Sequence, residues 1–172
     1  HLRVLADAGQ KVVTTTVVDD AWKGQTYDVH GSMVKWIDPS GSINNPKELS
    51  KVLEFDFTIF IRYVECCERA GITDQISVFS ILPWGTNRGC GAKDGAAKYK
   101  IHCKLSDKNK MAIRHLEMTP GTQTYHLLWR KFLHAFGAML VEKGWEKKVH
   151  FAFDERNKDD MKAALTMLER ET

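Results

Sequence analysis

The feature that most constrains this chain is the order in which its apolar patterning changes. Residues 11–18 (KVVTTTVV), 75–82 (QISVFSIL) and 148–153 (KVHFAF) are short runs rich in β-branched or aromatic residues, and they read as strands. Longer stretches of helical spacing separate them. Asp56 reads as an N-cap, Phe57, Phe60, Ile61 and Val64 follow at helical intervals, and Gly71 ends the run. After Pro120 and Gly121, a single helical face carries Tyr125, Leu128, Trp129, Phe132, Leu133, Phe136 and Leu140, and Gly144 closes it. Strands separated by helices cannot pair as hairpins, so the order predicts an α/β fold with a mainly parallel sheet.

The remaining segments fit around this frame. Residues 2–8 read as the end of a helix stopped by Gly9, and 32–37 as a short strand. Residues 38–46, with their Pro, Gly and Asn, read as a loop. Residues 98–105 have the period-2 character of a weaker strand, whereas 106–118 are charged and fit neither period. Met161, Ala164, Leu165 and Leu168 mark a last helix. Four or five strands are too few for a closed eight-stranded barrel, which takes ~250 residues. Either the chain is part of a larger β/α barrel, cut within its architecture at both ends, or it is a smaller open sheet.

Composition narrows the function classes. With 172 residues and 43% hydrophobic content, the chain can bury one real core. The formal charge is only +3, with both signs interspersed, so no single-sign field marks a nucleic-acid or anionic-membrane partner. No apolar run is long enough to span a bilayer. The first residue is His1 and no leader is visible, which says nothing of secretion. Cys66, Cys67, Cys90 and Cys103 form no CxxC pair, and the seven histidines show no metal-ligand spacing, so neither metal nor cofactor is expected. Ser80 lacks a G-x-S-x-G context, and the loop 85–95 lacks a phosphate-binding glycine pattern.

The stretch VHFAFDER (149–156) carries the most chemical information. Strand alternation sends Val149, Phe151 and Phe153 to a helix-covered face, and His150, Ala152 and Asp154 to the other, with Glu155 just past the strand end. Catalytic groups of β/α barrels sit at that end of a strand. Adjacent acids are costly in a core. Acids before a helix are also favourable on dipole grounds, with Asn157 as the cap, so the pattern alone leaves both readings open. Aromatics at strand ends are the second feature. Trp84 follows the 75–82 strand, and Trp22, Gln25 and Tyr27 follow the 11–18 strand. Such rings stack on the apolar face of a sugar or simply fill core. Trp129, on an apolar helix face, and Trp145, after the helix-ending Gly144, read as packing residues.

Several separated segments closely resemble glycoside hydrolase family 123 in matching order: residues 6–41, 55–84, 120–145 and, above all, EKGWEKKVHFAFDERNKDDMKAAL at 142–165. Residues 85–118 match least. The resemblance implies part of a TIM-type catalytic barrel and a β-N-acetylgalactosaminidase of retaining, substrate-assisted mechanism. In that mechanism the substrate's own acetamido oxygen attacks the anomeric carbon, so no enzyme nucleophile is needed. Glu155 matches the family's general acid/base, a role that needs a carboxyl held protonated near working pH. Asp154 matches the residue that holds the acetamido N–H and steadies the charge developing on the ring. The implied partner is a glycan or glycolipid ending in N-acetylgalactosamine, met in a secreted or periplasmic setting. Trp84, Tyr27, Trp22 and Gln25 are the candidate sugar contacts. The alternative within the same fold is a sugar-binding relative without catalysis, which the presence of both acids disfavours.

Overall fold

A computed structural model of the chain describes residues 1–19, 21–22, 31–39, 45–79, 81–82, 99–107, 110–153, 156 and 158–171, with the backbone only for 99–118. In chain order the elements are α1 (Leu2–Asp7), β1 (Val12–Thr16), β2 (Lys35–Ile37), α2 (Pro46–Val52), β3 (Glu54–Asp56), α3 (Thr58–Ala70), β4 (Gln75–Phe79), β5 (Tyr99–Asp107), β6 (Lys110–Met118), α4 (Gln123–Lys143), β7 (Val149–Phe151) and α5 (Lys158–Glu171).

The three strands expected from the β-branched and aromatic runs form one parallel sheet in the order β1-β4-β7. Val12 to Thr16 pair with Gln75 to Phe79, and Ile76 to Val78 with Val149 to Phe151. The pairing continues past the strand ends, since Val17 N–H donates to the Phe79 carbonyl at 2.7 Å and Ala152 N–H to the Val78 carbonyl at 2.9 Å. Val13, Thr15, Ile76 and Val78 are buried, and Val149, Phe151 and Phe153 pack against the same core, as the alternation requires. His150 lies on the other face and is exposed, its Nδ1 against the Lys148 carbonyl.

The sheet is not mainly parallel throughout. A second sheet runs β3-β2-β5-β6, with β2 antiparallel to β3, β5 antiparallel to β6, and a single parallel pair, Ile37 with Lys104, joining the halves. The described strands therefore make two sheets and do not close into a barrel. Residues 106–118, which fit neither period in sequence, supply most of a hairpin that pairs Tyr99 with Met118 and Asp107 with Lys110. Its ladder comes from backbone groups, which a side-chain pattern does not report.

The helix ends follow local chemistry. Asn45 Oδ1 accepts the Lys47 N–H at 2.9 Å, with Pro46 in the first turn, and so starts α2 within a stretch that reads as loop. Thr122 caps α4 through Tyr125 N–H, and Gly144 closes it at φ 68°. On α5 the buried residues are Ala164 and Met167, whereas Leu165 is 46% exposed.

The core is an aromatic stack between the two sheets. Trp36 of β2 lies flat against Phe132 of α4, with centroids 5.2 Å apart and planes at 1°. It meets Trp129 and Phe55 edge-on at 5.2 and 5.0 Å, and its indole N–H donates to the Val17 carbonyl at 3.2 Å. The chain of rings continues through Phe136 to Phe60 and Phe151. Trp129 is fully buried, and Trp145 is 4% exposed with its indole N–H on Glu68, so both serve packing.

Two expected outcomes follow. Trp36→Ala removes a fully buried ring from the centre of the stack and lowers unfolding stability by about 3–5 kcal/mol, read by urea denaturation. Asp56 holds the start of α3 by accepting Thr58 N–H at 2.9 Å, and it pairs with Lys35 at 2.8 Å. Hydrogen bonding to Lys35, then to Thr58, lowers its pKa from 3.8 to about 2. The folded chain thus favours the ionised carboxylate. Its contribution is full above the ordinary carboxylate value and is lost as pH falls toward 2. Asp56→Ala costs about 1 kcal/mol at neutral pH, and the gap from the parent closes on acidification from pH 4 to 2.

Candidate active site

Because β1, β4 and β7 are parallel, their C-terminal ends share one edge. Binding groups of open α/β sheets and barrels collect at such an edge, where loops leave a rigid frame. After β1, Val17, Val18 and Ala21 are buried and hold the chain down while Asp19 and Trp22 stay partly open. After β4, Ile81 and Leu82 are buried. Phe153 follows β7 and is half-buried against the core. The N-terminal end of α4 lies at the same edge, since the hydroxyl of the fully buried Tyr125 approaches the Ile81 carbonyl at 3.4 Å.

Of the six residues that the sequence nominates, Trp22 alone falls within the described residues. It is half-buried, and its ring stands 5.1 Å from that of Phe79, tilted by 50°. The indole is therefore braced by the end of the neighbouring strand and keeps part of its surface open at the edge. Gln25, Tyr27, Trp84, Asp154 and Glu155 lie outside the described residues.

The base of the segment that carries Gln25 and Tyr27 is pinned on both sides. Asp19 Oδ1 accepts the Ser32 N–H at 2.6 Å. Met33 N–H donates to the Thr16 carbonyl at 3.0 Å, and the Thr16 hydroxyl approaches the Gly31 carbonyl at 3.4 Å. The two ends of the segment between residues 20 and 30 are thus tied to the end of β1. Sequence reading passed over Asp19, since a partner thirteen residues away leaves no local signal. It also passed over Asp38, which follows β2 and is fully buried, an acid held within the fold by interactions of its own.

The groups with shifted titration lie on or beside α3. Burial raises the pKa of both Tyr63 and Cys67. Cys66 and Cys67 are free thiols, the first exposed and the second buried. Among the described residues no group of three His, Cys, Asp or Glu side chains is placed to hold a metal ion, and no helix is long and apolar enough to cross a membrane.

The sequence model of the catalytic domain of glycoside hydrolase 123 matches residues 1–172, the whole chain. The chain belongs to glycoside hydrolase family 123. Among solved structures it is similar to a family 123 glycoside hydrolase from Clostridium perfringens, a structure determined to detail glycolipid glycan hydrolysis. The two share 29% identity with a TM-score of 0.78, over 99% of this chain and 26% of that one. The family 123 chain thus spans about a quarter of the length of that relative. No curated protein matches it.

The pinned loop base yields a prediction. Asp19→Ala frees the Ser32 N–H and loosens the start of the segment carrying Gln25 and Tyr27. The Ser32 amide exchanges with solvent several-fold faster while the melting temperature falls by only a few degrees, about 1 kcal/mol for one hydrogen bond. Asp19→Asn keeps an acceptor oxygen and restores most of the protection. Equal Ser32 amide exchange in Asp19→Ala and the parent would show that this tether does not hold the chain after β1.

Proposed function

We propose that this chain is part of the catalytic domain of a glycosidase that releases terminal β-linked N-acetylgalactosamine with retention, through an oxazolinium intermediate formed by the substrate. The observation that carries the proposal is the whole-chain match to the family 123 catalytic domain. The position of the Asp-Glu pair supports it, since Asp154 and Glu155 follow β7 in the chain just after Ala152 and Phe153. The substrate is a glycan or glycolipid ending in N-acetylgalactosamine, in keeping with the glycolipid glycans hydrolysed by the Clostridium relative.

Adjacent acids suit this chemistry. A conventional retaining pair stands on opposite faces of the sugar, ~5 Å apart, which sequence neighbours rarely achieve. In the assisted reaction Asp154 holds the acetamido N–H, so that the acetamido oxygen faces the anomeric carbon, and stabilises positive charge as the ring flattens. Glu155 gives its proton to the leaving oxygen as the glycosidic bond breaks. It then takes a proton from the water that opens the oxazolinium ring. Side chains that diverge from one backbone turn are able to serve both points. Trp84, Tyr27, Trp22 and Gln25 supply the stacking surface and polar rim of the sugar subsite.

The two acids differ in what their loss removes. Glu155→Gln lowers kcat/KM by ~10²-fold or more on a natural glycan and much less on an activated aryl β-N-acetylgalactosaminide, whose leaving group needs little protonation. Asp154→Asn lowers both by ~10²-fold or more. Kinetics of both variants of the intact protein on the two substrates decide the assignment. Equal loss on both substrates for Glu155→Gln would remove it from the acid role. Full activity of both variants would leave the pair as a charged helix start.

A further inference from the structure

A groove of about 390 Å³ runs between α4 and α5, lined by His126, Asp159, Lys162, Ala163, Thr166 and Arg170. The two helices run side by side in the same sense. A Cβ on Gly121, just before α4, would lie 3.7 Å from the Ala163 Cβ, whereas Arg130 and His134 further along α4 meet Glu171 at the end of α5. His126, which lines the groove, adjoins Tyr125, whose hydroxyl reaches the Ile81 carbonyl at the C-terminal edge of the parallel sheet. Lys162, Thr166 and Arg170 stand at i, i+4 and i+8, one row along α5. Arg130 pairs with Glu171 at 2.9 Å and Lys143 with Glu65 at 2.9 Å. Lys162 and Arg170, like Lys131 and Lys158 on the same helices, have no ion-pair partner among the described residues, and of these four only Lys162 and Arg170 line the groove.

We propose that this groove binds an acidic substituent, a carboxylate or sulfate ester, carried by the glycan beyond its terminal sugar. The argument relies on the glycosidase reading only for the nature of the molecule that brings the anion. Lys162 and Arg170 are separated by ~12 Å along the helix axis, about one turn to either side of Thr166. Arg170 offers the paired N–H geometry that matches two oxygens of one anion, Lys162 adds a point charge, and Thr166 and His126 are hydrogen-bonding groups along the wall. Asp159, in the first turn of α5, repels an anion from that part of the groove and sets the bound group toward Thr166 and Arg170.

The test uses the intact protein and equilibrium calorimetry with two matched trisaccharides ending in β-N-acetylgalactosamine, one neutral and one with a sulfate ester on an inner sugar. All binding is measured in a Glu155→Gln background so that the probes stay uncleaved, and hydrolysis is assayed separately with Glu155 intact. In the parent the sulfated probe binds on the order of 10-fold more tightly, the scale of one or two charge-assisted hydrogen bonds, and the advantage shrinks with added salt. Lys162→Gln with Arg170→Gln brings the ratio close to one. Arg170→Lys, which keeps charge but not the fork, loses part of it, and Asp159→Asn raises it, so a folding defect in one variant cannot imitate the set. Equal affinity for the two probes in the parent, or an advantage that survives the double substitution, overturns the proposal. Failure of the glycosidase reading shows separately, as absence of hydrolysis of the neutral probe. In that case the sulfated probe still binds through the groove if the proposal holds, and fails to bind if it does not.

Discussion

The indole of Trp36 is the contact on which the rest of this structure depends. One flat face covers Phe132, its edges meet Trp129 and Phe55, and its N–H reaches the Val17 carbonyl. Each ring pair contributes about 0.5–1.5 kcal/mol beyond the area it buries. More important is what the side chain joins. It belongs to the mixed sheet, lies on the long helix α4, and satisfies a backbone carbonyl at the end of the first parallel strand. The two sheets and the helix between them are held in one relation by a single buried residue.

That relation matters because the segments that carry the candidate residues follow the C-terminal ends of the parallel strands in the chain. Loops there carry chemistry only if the frame beneath them is rigid. Val17, Val18, Ala21, Ile81 and Leu82 are all buried where their strands end, and Tyr125 reaches the Ile81 carbonyl from α4. Asp19 fastens one loop to its own base. On the sheet face away from the helices, Thr14, Ser77 and His150 stand in register across the three strands, with Thr14 and His150 exposed. This polar row contrasts with the apolar row of Ile76, Val78, Val149 and Phe151 that meets the helices, and it shows how one strand period serves two environments.

Much of the frame was legible because its signals are local. The 3.6-residue spacing from Tyr125 to Leu140 names the buried face of α4, and Gly71 and Gly144 mark helix ends at positive φ. The parallel triad followed from the helices placed between its strands. The strand β5 was legible from the period-2 character of residues 98–105, whereas its partner β6, the short strand β3 and the helix α2 were not. The side chains of these three follow no sustained period, and they form through backbone pairing or a single cap at Asn45. Met161, Ala164, Leu165 and Leu168 mark α5, whose buried residues are Ala164 and Met167.

Taken alone, the sequence determined the helical and strand periods and several helix ends, since each is written in residues a few positions apart. It also determined family membership, through several motifs kept in order over the whole length. Only the tertiary structure decided that the strands divide between two sheets, that Trp36 sits at their junction, that Asp19 closes on Ser32, and that Lys162 and Arg170 face a groove beside α4. The physical reason is common to all four. Strand pairing, ring stacking and charge placement are settled by which distant surfaces meet when the core closes, and a one-dimensional pattern records what each surface offers without recording what it meets.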